Sequence, residues 1–355
     1  MLAEPALALV VIARDEAPRI QRLLRSVAPF VDVMHVLDTG SVDATPALAA
    51  ACGARVHHAP WPDDFAAARN TALDLAPARW HLVLDADEWL IGGGPALAAL
   101  RAQPAGFVGA LQFHEHLGPG DVPARSWMSR VFPGPLRYTG RIHEQVPHRL
   151  PVQRLPVQIG HDGYLPERLA AKRGRNRVLL QQALAAQPDD AYLWYQLGKD
   201  CGSYDEHNEA EAALARALAL ADAAHLAAPW WPDAVVRRLF ALKQLQRHAE
   251  GMDLADAAQA RCAEMPDFFF ALGDLLLDLA AGQPQHATVL LPMIEAAWRR
   301  CLALGERPDL PETVPGRGSW LAAFNLALVL DGTGRPDAAR ALREQHPFPP
   351  ACQPV

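Results

Sequence analysis

The feature that most constrains this chain is a short apolar run that ends in carboxylates. Residues 80–84 are mostly apolar, and Asp85, Asp87 and Glu88 follow them directly. A run that is apolar on both faces is typical of a buried strand in a parallel sheet. Ligands of open α/β sheets bind outside the carboxyl ends of the strands, and carboxylates gathered there favour a hard cation such as Mg²⁺ or Mn²⁺. The segment therefore predicts an α/β enzyme that binds a metal ion and a diphosphate.

Composition limits the class of protein. At 355 residues the chain is long enough for two domains, and half of its residues are hydrophobic. The net charge of −7 argues against general nucleic-acid binding, which needs a basic face. No apolar run approaches the roughly 18–20 residues that span a bilayer, and the N-terminus lacks the features of a signal peptide. The five cysteines are scattered and odd in number, so we expect reduced thiols in a cytoplasmic protein.

The first predicted domain, residues 1–164, alternates short apolar runs with amphipathic segments. We expect strands and intervening helices, the latter with Ser41 as one N-cap, because the hydrophobic period switches between the two types. This alternation predicts parallel βαβ units with right-handed crossovers. The expected strands are 7–13, 32–37, 54–58 and 80–84, with later ones at 107–114, 126–132 and 155–161, and the expected helices are 17–28, 42–51 and 64–75.

The second predicted domain, residues 165–355, has an all-helical pattern. One stretch fits a tetratricopeptide (TPR) repeat, whose period is about 34 residues with aromatic and small residues at fixed offsets. A last helix pair is expected at 322–330 and 338–342. The residues that fall on the repeat offsets are Trp194, Leu197, Gly198, Ala210 and Ala217.

Two further polar clusters follow predicted strands. Asp38 stands at the tip of the second strand, where it could accept hydrogen bonds from a base or ribose, and Ser41 and Asp43 follow near a helix start. Arg69 and Asn70 lie one to two turns into the third helix. The simpler alternatives are helix capping by the first cluster, a solvated arginine in the second, and a polar turn at residues 85–88.

Together these motifs resemble those of the family 2 inverting glycosyltransferases with the GT-A fold. The set is most similar to the branch that contains bacterial peptide S-glycosyltransferases of the sublancin type. Members of that branch often carry helical repeats after the catalytic domain, so the resemblance implies an α/β GT-A domain followed by an all-α, TPR-like domain. The matching segments are residues 13–16, 38–45, 64–70, 85–88 and 140–144.

The resemblance also implies roles for residues of the nucleotide-sugar site. Asp87 would coordinate a divalent cation, Mg²⁺ or Mn²⁺, that bridges the two phosphates. Asp85 would hold the ribose or sugar and support the metal site. Asp38 would accept hydrogen bonds from the base, in a pocket flanked by Ala13 and Glu16.

Two more residues are implied to lie at the same site. Arg69 would lie near the base or a phosphate. His161 follows the last predicted strand, and many GT-A enzymes use a late histidine as a further metal ligand. A lone histidine is more often structural.

Inverting transfer is a single displacement at the anomeric carbon, so it needs a base that takes the proton of the acceptor. We expect Glu144 in this role, with His143 beside it, although many family 2 enzymes place an aspartate at this step. The alternative is that Glu144 pairs with a surface arginine. The candidates for the base are Glu144, His143, Glu115 and His114, and the surface partners would be Arg141 or Arg149.

The resulting hypothesis is a hexosyltransferase that moves a sugar from a nucleotide-diphospho-sugar, with a UDP-sugar as the expected donor, to a peptide, protein or glycan. The helical half would present the acceptor or pair two copies of the chain. A nucleotidyltransferase is the first alternative, but its glycine-rich loop after strand one is missing, because residues 13–18 contain no glycine. The second alternative is a scaffold with a degenerate transferase domain, which the presence of both Asp85 and Asp87 argues against.

Overall fold

The structure is a computed structural model that describes residues 5–115, 124–163, 174–310 and 312–347. The described residues fall into two compact units that divide between Leu179 and Leu180. The predicted domain boundary at residues 164 and 165 lies outside the described residues and stays a prediction.

The first unit contains the predicted alternation of strands and helices. Its strands are β1 (Leu7–Ala13), β2 (Val33–Asp38), β3 (Arg55–His58), β4 (Trp80–Val83), β5 (Glu88–Gly92), β6 (Val108–Glu115), β7 (Ala124–Pro133) and β8 (Val152–His161). Its helices are α1 (Ile20–Val27), α2 (Thr45–Ala51), α3 (Phe65–Asp74) and α4 (Gly94–Ala99), with short 3₁₀ turns at Ala28–Phe30 and Leu100–Ala102.

These strands form a mixed sheet in the order β3-β2-β1-β4-β7-β6-β8-β5. β1 pairs in parallel with β2 on one side and β4 on the other, and β7 then runs antiparallel to β4. Because β1, β2 and β4 are parallel neighbours, their carboxyl ends meet at one edge of the sheet. The α/β prediction is confirmed, and this edge is where the polar clusters lie.

The core explains why the apolar runs predicted these elements correctly. Six of the seven residues of β1 are buried, as expected for a strand covered on both faces. Helix α1 buries the predicted stripe of Ile20, Leu23, Leu24 and Val27. Burying each such side chain fully is worth about 1.5–3 kcal/mol, so this stripe fixes α1 on the sheet.

Two local predictions were wrong. Helix α2 begins at Thr45, not at 42, and Ser41 does not cap it, because the Ser41 hydroxyl accepts the Asp15 amide instead. Pro46 in the first turn suits this later start. Residues 88–92 form strand β5, paired antiparallel with β8, a strand that we did not predict.

The second unit is helical, as predicted, apart from the two-residue strand β9 (Glu312–Thr313). Its helices are α5 (Arg175–Ala186, which begins in the first unit), α6 (Ala191–Gly202), α7 (His207–Ala223), α8 (Trp231–Gln244), α9 (His248–Ala258), α10 (Pro266–Gly282), α11 (Ala287–Leu304), α12 (Trp320–Gly332) and α13 (Pro336–Gln345), with a 3₁₀ turn at Pro284–His286.

Successive helices of this unit pack as pairs, which is the arrangement that the repeat offsets predicted. Gly198 of α6 lies so close to α7 that a Cβ there would stand 2.6 Å from Leu214 Cγ. Gly273 of α10 repeats this geometry, since its Cβ would stand 2.5 Å from Trp298 Nε1 on α11. The small residues therefore mark close helix crossings, and the predicted last pair is confirmed as α12 and α13.

Among the helices of the described residues, none combines the length and the apolar character needed to cross a bilayer.

Candidate functional site

Two loops are tied together at the carboxyl ends of β1 and β2. The Asp15 amide donates to Ser41 Oγ (2.9 Å). The Ala17 amide donates to Asp43 Oδ2 (3.1 Å). Asp15 has a φ of +55°, a left-handed conformation that is uncommon for a residue other than glycine. These contacts fix the backbone of both loops around Asp38, the last residue of β2.

Asp38 is a buried hydrogen-bond acceptor that uses one of its two carboxylate oxygens within the described residues. Its Oδ2 accepts the amides of Gly40 (3.3 Å) and Ser41 (3.2 Å) and lies 3.4 Å from His58 Nδ1. Burial alone would raise the pKa of Asp38, but these hydrogen bonds outweigh it and hold the pKa below its usual value. Its Oδ1 is buried and has no hydrogen-bond partner among the described residues. Asp38 is therefore ionised and able to accept a further donor.

The two predicted flanks of the base pocket lie at the same strand end. Ala13 pairs with Asp38 in the sheet register, and its carbonyl accepts the amide and hydroxyl of Thr39 (2.9 and 3.2 Å). Glu16 lies in the loop after β1, where its amide donates to Thr45 Oγ1 (2.7 Å). The register and these bonds bring Ala13, Glu16 and Asp38 together.

Residues 85–88 form a closed turn between β4 and β5. The Asp85 amide donates to Glu88 Oε2 (2.8 Å), and the Glu88 amide donates to the Asp85 carbonyl (3.0 Å). Asp87 and Glu88 are buried, whereas the side chain of Asp85 is about one-third exposed. The turn thus holds three carboxylates within four residues, so it needs positive charge nearby.

Two buried guanidinium groups supply that charge. Arg69 Nη2 donates to Asp85 Oδ1 (2.7 Å), and Arg130 Nη2 contacts Asp85 Oδ2 (3.3 Å) and Glu88 Oε1 (2.5 Å). Burial opposes ionisation of Asp85, but the two arginines hold the pKa of Asp85 below its usual range. Burial raises the pKa of Glu88 to about 7, against the opposing effect of Arg130. Both oxygens of Asp85 are thus engaged by cations.

Arg69 also contacts Glu144, the expected base, through a hydrogen bond from Nε. The side chains of Arg69 and Glu144 are only 5% and 10% exposed, so this is a largely buried ion pair. The next residue, Asn70, exchanges hydrogen bonds with the backbone of Tyr138 (3.0 and 2.8 Å). Two neighbouring residues of α3, Arg69 and Asn70, therefore both bond to the segment that carries Glu144.

That segment is a tight loop. Thr139 and Gln145 exchange backbone hydrogen bonds (2.8 and 2.9 Å), and the loop between them includes left-handed residues at Gly140 (φ +96°) and His143 (φ +51°). Such a conformation is readily adopted by glycine but costs free energy for histidine. The strained His143 and the buried Glu144 are thus adjacent on one loop near Asp85.

Asp87 faces the last strand of the sheet. His161, the final residue of β8, places Nε2 3.7 Å from Asp87 Oδ2. A Cβ at Gly163 would lie 2.2 Å from His161 Nε2 and 3.0 Å from Asp87 Oδ2, so a glycine is needed here for the chain to pass this close to both side chains. Within the part of the chain that the structure describes, no group of three or more His, Cys, Asp or Glu side chains could hold a metal ion by itself.

Several alternatives to the site hypothesis are excluded by this geometry. Arg69 and Glu144 form a largely buried ion pair with each other. Arg69 is therefore not solvated, and Glu144 is not paired at the surface with Arg141 or Arg149. His114 lies on β6 opposite Gly160, and the side chain of Glu115 lies outside the described side chains. We did not predict Arg130 or the partner of Asn70, and no sequence pattern marked them.

Comparison with known proteins gives a family match for the first part of the chain. Residues 8–148 match the model described as Glycosyl transferase family 2. A TPR repeat-containing protein of Synechococcus elongatus is 42% identical over 211 residues, which cover 54% of this chain and 51% of that protein. The chain therefore spans about half the length of this relative.

A second relative extends into the helical half. The SPbeta prophage-derived glycosyltransferase SunS of Bacillus subtilis is 24% identical over 296 residues, covering 78% of this chain and 68% of that protein. Among solved structures, MamA overlaps 50% of this chain with 16% identity and a TM-score of 0.38. This overlap is too weak to transfer any property to this chain.

The matched region, residues 8–148, covers strands β1–β7 and the clusters around Asp38, Arg69, Asp85 and Glu144. The predicted resemblance is thereby confirmed. Residues 8–148 thus match glycosyltransferase family 2, and the chain combines a GT-A fold with the TPR-like helices that follow it.

Proposed function

We propose that this protein is an inverting, metal-dependent glycosyltransferase. It transfers a hexose from a nucleotide-diphospho-sugar, with a UDP-sugar as donor, to a peptide, protein or glycan. The observation that carries this proposal is the meeting of Asp38 and residues 85–88 at one edge of the sheet. One strand separates them, which at about 4.8 Å per strand spacing is roughly 10 Å, a span that a nucleoside diphosphate can bridge.

The oxygen of Asp38 that lacks a partner among the described residues supports a role for Asp38 in binding the nucleotide base. Its buried Oδ1 lacks a partner among the described residues, and an N–H of a pyrimidine base would satisfy it. Ala13 and Glu16 flank this position. Arg69, in contact with Asp85 rather than Asp38, would then lie on the phosphate and sugar side of the donor.

The residues present fit a divalent cation that substrate helps to hold. Asp87 and His161, which lie next to each other and close to the backbone of Gly163, would be its protein ligands. Mg²⁺ is commonly bound by one or two carboxylates together with substrate phosphates, so a larger protein cluster is not required. Asp85, whose two oxygens contact arginines, would orient the sugar or ribose and support the metal site from the side. When bound, the cation offsets the charge that develops on the leaving diphosphate.

Glu144 would act as the base. The acceptor atom attacks the anomeric carbon, the bond from that carbon to the diphosphate oxygen breaks, and Glu144 takes the proton of the acceptor. Arg69 fixes the Glu144 carboxylate, and His143 stands beside it on the same loop. The contact of Arg69 with both Asp85 and Glu144 would hold donor-side and acceptor-side carboxylates in one geometry.

The helical unit suits an acceptor that is a peptide or a protein. Stacked helix pairs build extended concave surfaces of the kind that bind polypeptides. The resemblance of the sequence motifs to those of peptide S-glycosyltransferases supports the same class of acceptor. Pairing of two copies of the chain through these helices is the other use we propose for them.

Thermal unfolding with nucleotides tests the proposal. Ligand binding raises stability by RT ln(1 + [L]/Kd), so UDP at about 100 times its Kd adds roughly 2.7 kcal/mol. We expect UDP with Mn²⁺ to raise the Tm of the full chain more than UDP alone. Asp87→Asn should lose the Mn²⁺-dependent part, and the control Asp74→Asn, which changes an exposed carboxylate paired with Arg137, should keep it.

Two results would overturn the proposal. A shift caused only by nucleoside triphosphates would indicate a nucleotidyltransferase, and no shift with any nucleotide would indicate a scaffold. Incubation with pooled nucleotide sugars and candidate peptides, followed by product mass, then identifies the donor and acceptor.

A further inference from the structure

Arg130 contacts two carboxylates of the candidate site, and the proposed function gives it no role. It lies on β7, which pairs antiparallel with β4, so its side chain reaches the turn that follows β4. The guanidinium contacts Glu88 Oε1 at 2.5 Å and Asp85 Oδ2 at 3.3 Å, and its carbon lies 5.4 Å from the centre of the Phe113 ring. The Arg130 side chain is 13% exposed, so these contacts are made away from bulk solvent.

These contacts offset the negative charge of the turn at residues 85–88. Glu88 is 1% exposed and already accepts the Asp85 amide through Oε2. Removing one partner of a buried ion pair is destabilising, so Arg130 stabilises Glu88 in this buried position. The same guanidinium then reaches Asp85 Oδ2, while Arg69 takes Asp85 Oδ1. Asp87, the third carboxylate of the turn, lies beside His161, with its Oδ2 3.7 Å from His161 Nε2.

We propose that Arg130 is a positioning residue, which joins Asp85 to Glu88 so that the turn holds the Asp87 carboxylate toward His161 and the metal ion. This inference rests on the proposed function, because it assigns Arg130 to the same metal–diphosphate site. Arg130 would not touch the donor; it would act through the two carboxylates that it bridges.

The chemistry of arginine suits this role better than that of lysine. A guanidinium presents several N–H donors in a fixed plane, whereas an ammonium is a point charge on a flexible stem. The contact with the Phe113 ring further restricts the plane of the Arg130 guanidinium. Arg130→Lys therefore keeps the charge near Glu88 but cannot reproduce the rigid bridge to Asp85.

The test separates positioning from simple charge neutralisation. Four variants of the full chain are compared: Arg130→Lys, Arg130→Met, the double variant Arg130→Met with Glu88→Gln, and the control Arg125→Met. Arg125 lies on the same strand but is exposed. The readouts are Tm and the Kd of Mn²⁺ in the presence of UDP, measured from the free-Mn²⁺ signal in electron paramagnetic resonance.

We expect Arg130→Met to lower both the Tm and the Mn²⁺ affinity, since it leaves Glu88 buried without a cation. The double variant removes both charges and should recover most of the Tm, yet bind Mn²⁺ about 10–100-fold more weakly, the range found when partners of metal ligands are lost. Arg130→Lys should fold and still bind Mn²⁺ several-fold more weakly, and Arg125→Met should match the wild type.

Recovery of both Tm and Mn²⁺ affinity in the double variant, or wild-type affinity in Arg130→Lys, would overturn the positioning role. Such a result would leave the proposed function intact, because the wild type would still bind Mn²⁺ with UDP. A wild-type chain that binds no Mn²⁺ with UDP would instead refute the proposed function, and the role of Arg130 with it.

Discussion

Replacing Glu144 by glutamine tests the proposed base with little change of shape. The Glu144 side chain is 10% exposed and accepts a hydrogen bond from Arg69 Nε. Glutamine keeps an acceptor oxygen for that bond but removes the charge and the ability to take a proton at neutral pH. The variant should therefore retain the loop geometry and lose the chemistry.

The expected sizes of the two effects differ. A hydrogen bond to a charged group is worth about 1.5–3 kcal/mol and a neutral one about 0.5–1.5, so the free energy of unfolding should fall by about 1–2 kcal/mol. Loss of a general base costs about 10²–10⁴-fold in rate, which corresponds to roughly 3–5.5 kcal/mol of barrier. The loss in transfer should thus greatly exceed the loss in stability.

Three measurements on Glu144→Gln decide between these effects: urea unfolding, the Kd of UDP with Mn²⁺, and the rate of sugar transfer found by product mass. The control Asp74→Asn removes an exposed carboxylate of the same unit and should leave all three unchanged. Full transfer by Glu144→Gln with retained donor binding would rule out the base role. An equal loss of donor affinity and transfer would show that Glu144 binds the donor instead.

Three other predictions follow from named contacts. Gly163→Ala should weaken Mn²⁺-dependent UDP binding about 10–100-fold in calorimetry, because its methyl group would lie 2.2 Å from His161 Nε2; unchanged affinity would exclude a metal at this place. Acidification should destabilise the protein through His35, because burial and nearby cationic groups lower its pKa to about 4. Between pH 6.5 and 4 the unfolded chain takes up the proton more readily than the folded chain, so the free energy of unfolding should fall by about 3 kcal/mol. Urea unfolding of His35→Gln should show a smaller dependence of stability on pH over this range. Gly198→Ala should cost about 1–3 kcal/mol in urea unfolding, because its Cβ would meet Leu214 Cγ at 2.6 Å; a stabilised variant would contradict the close crossing.

The fold was predictable where burial leaves a pattern in the sequence. Strands β1 and β4 are almost entirely buried, and polar residues follow each of them at the edge of the sheet, so both the strands and the edge could be found. Strand β5 was missed because it is only partly buried and begins within the acidic turn at Glu88. Its pairing with β8 depends on residues about 70 positions further along the chain, which no local pattern shows.

The candidate site was predictable in part: its carboxylates could be found from the sequence, but its buried arginines could not. The carboxylates at strand ends could be found, since parallel neighbours bring their tips together. The burial of Arg69 could not, because its partners Asp85 and Glu144 lie 16 and 75 residues away. Arg130 likewise contacts Glu88, which lies 42 residues away in the sequence. The apolar pattern predicted the strand that carries Arg130, but it did not predict which strand would pair with it. Contacts that neutralise buried charge depend on this tertiary pairing.

A crystal structure with UDP and Mn²⁺, with the ion located by anomalous scattering, would show whether Asp38 and Asp87 bind the two ends of one nucleoside diphosphate. We predict one Mn²⁺ between Asp87 and His161 in contact with both phosphates, and the uracil ring hydrogen-bonded to Asp38. An ion bound elsewhere, or a nucleotide that does not reach from Asp38 to Asp87, would contradict the account.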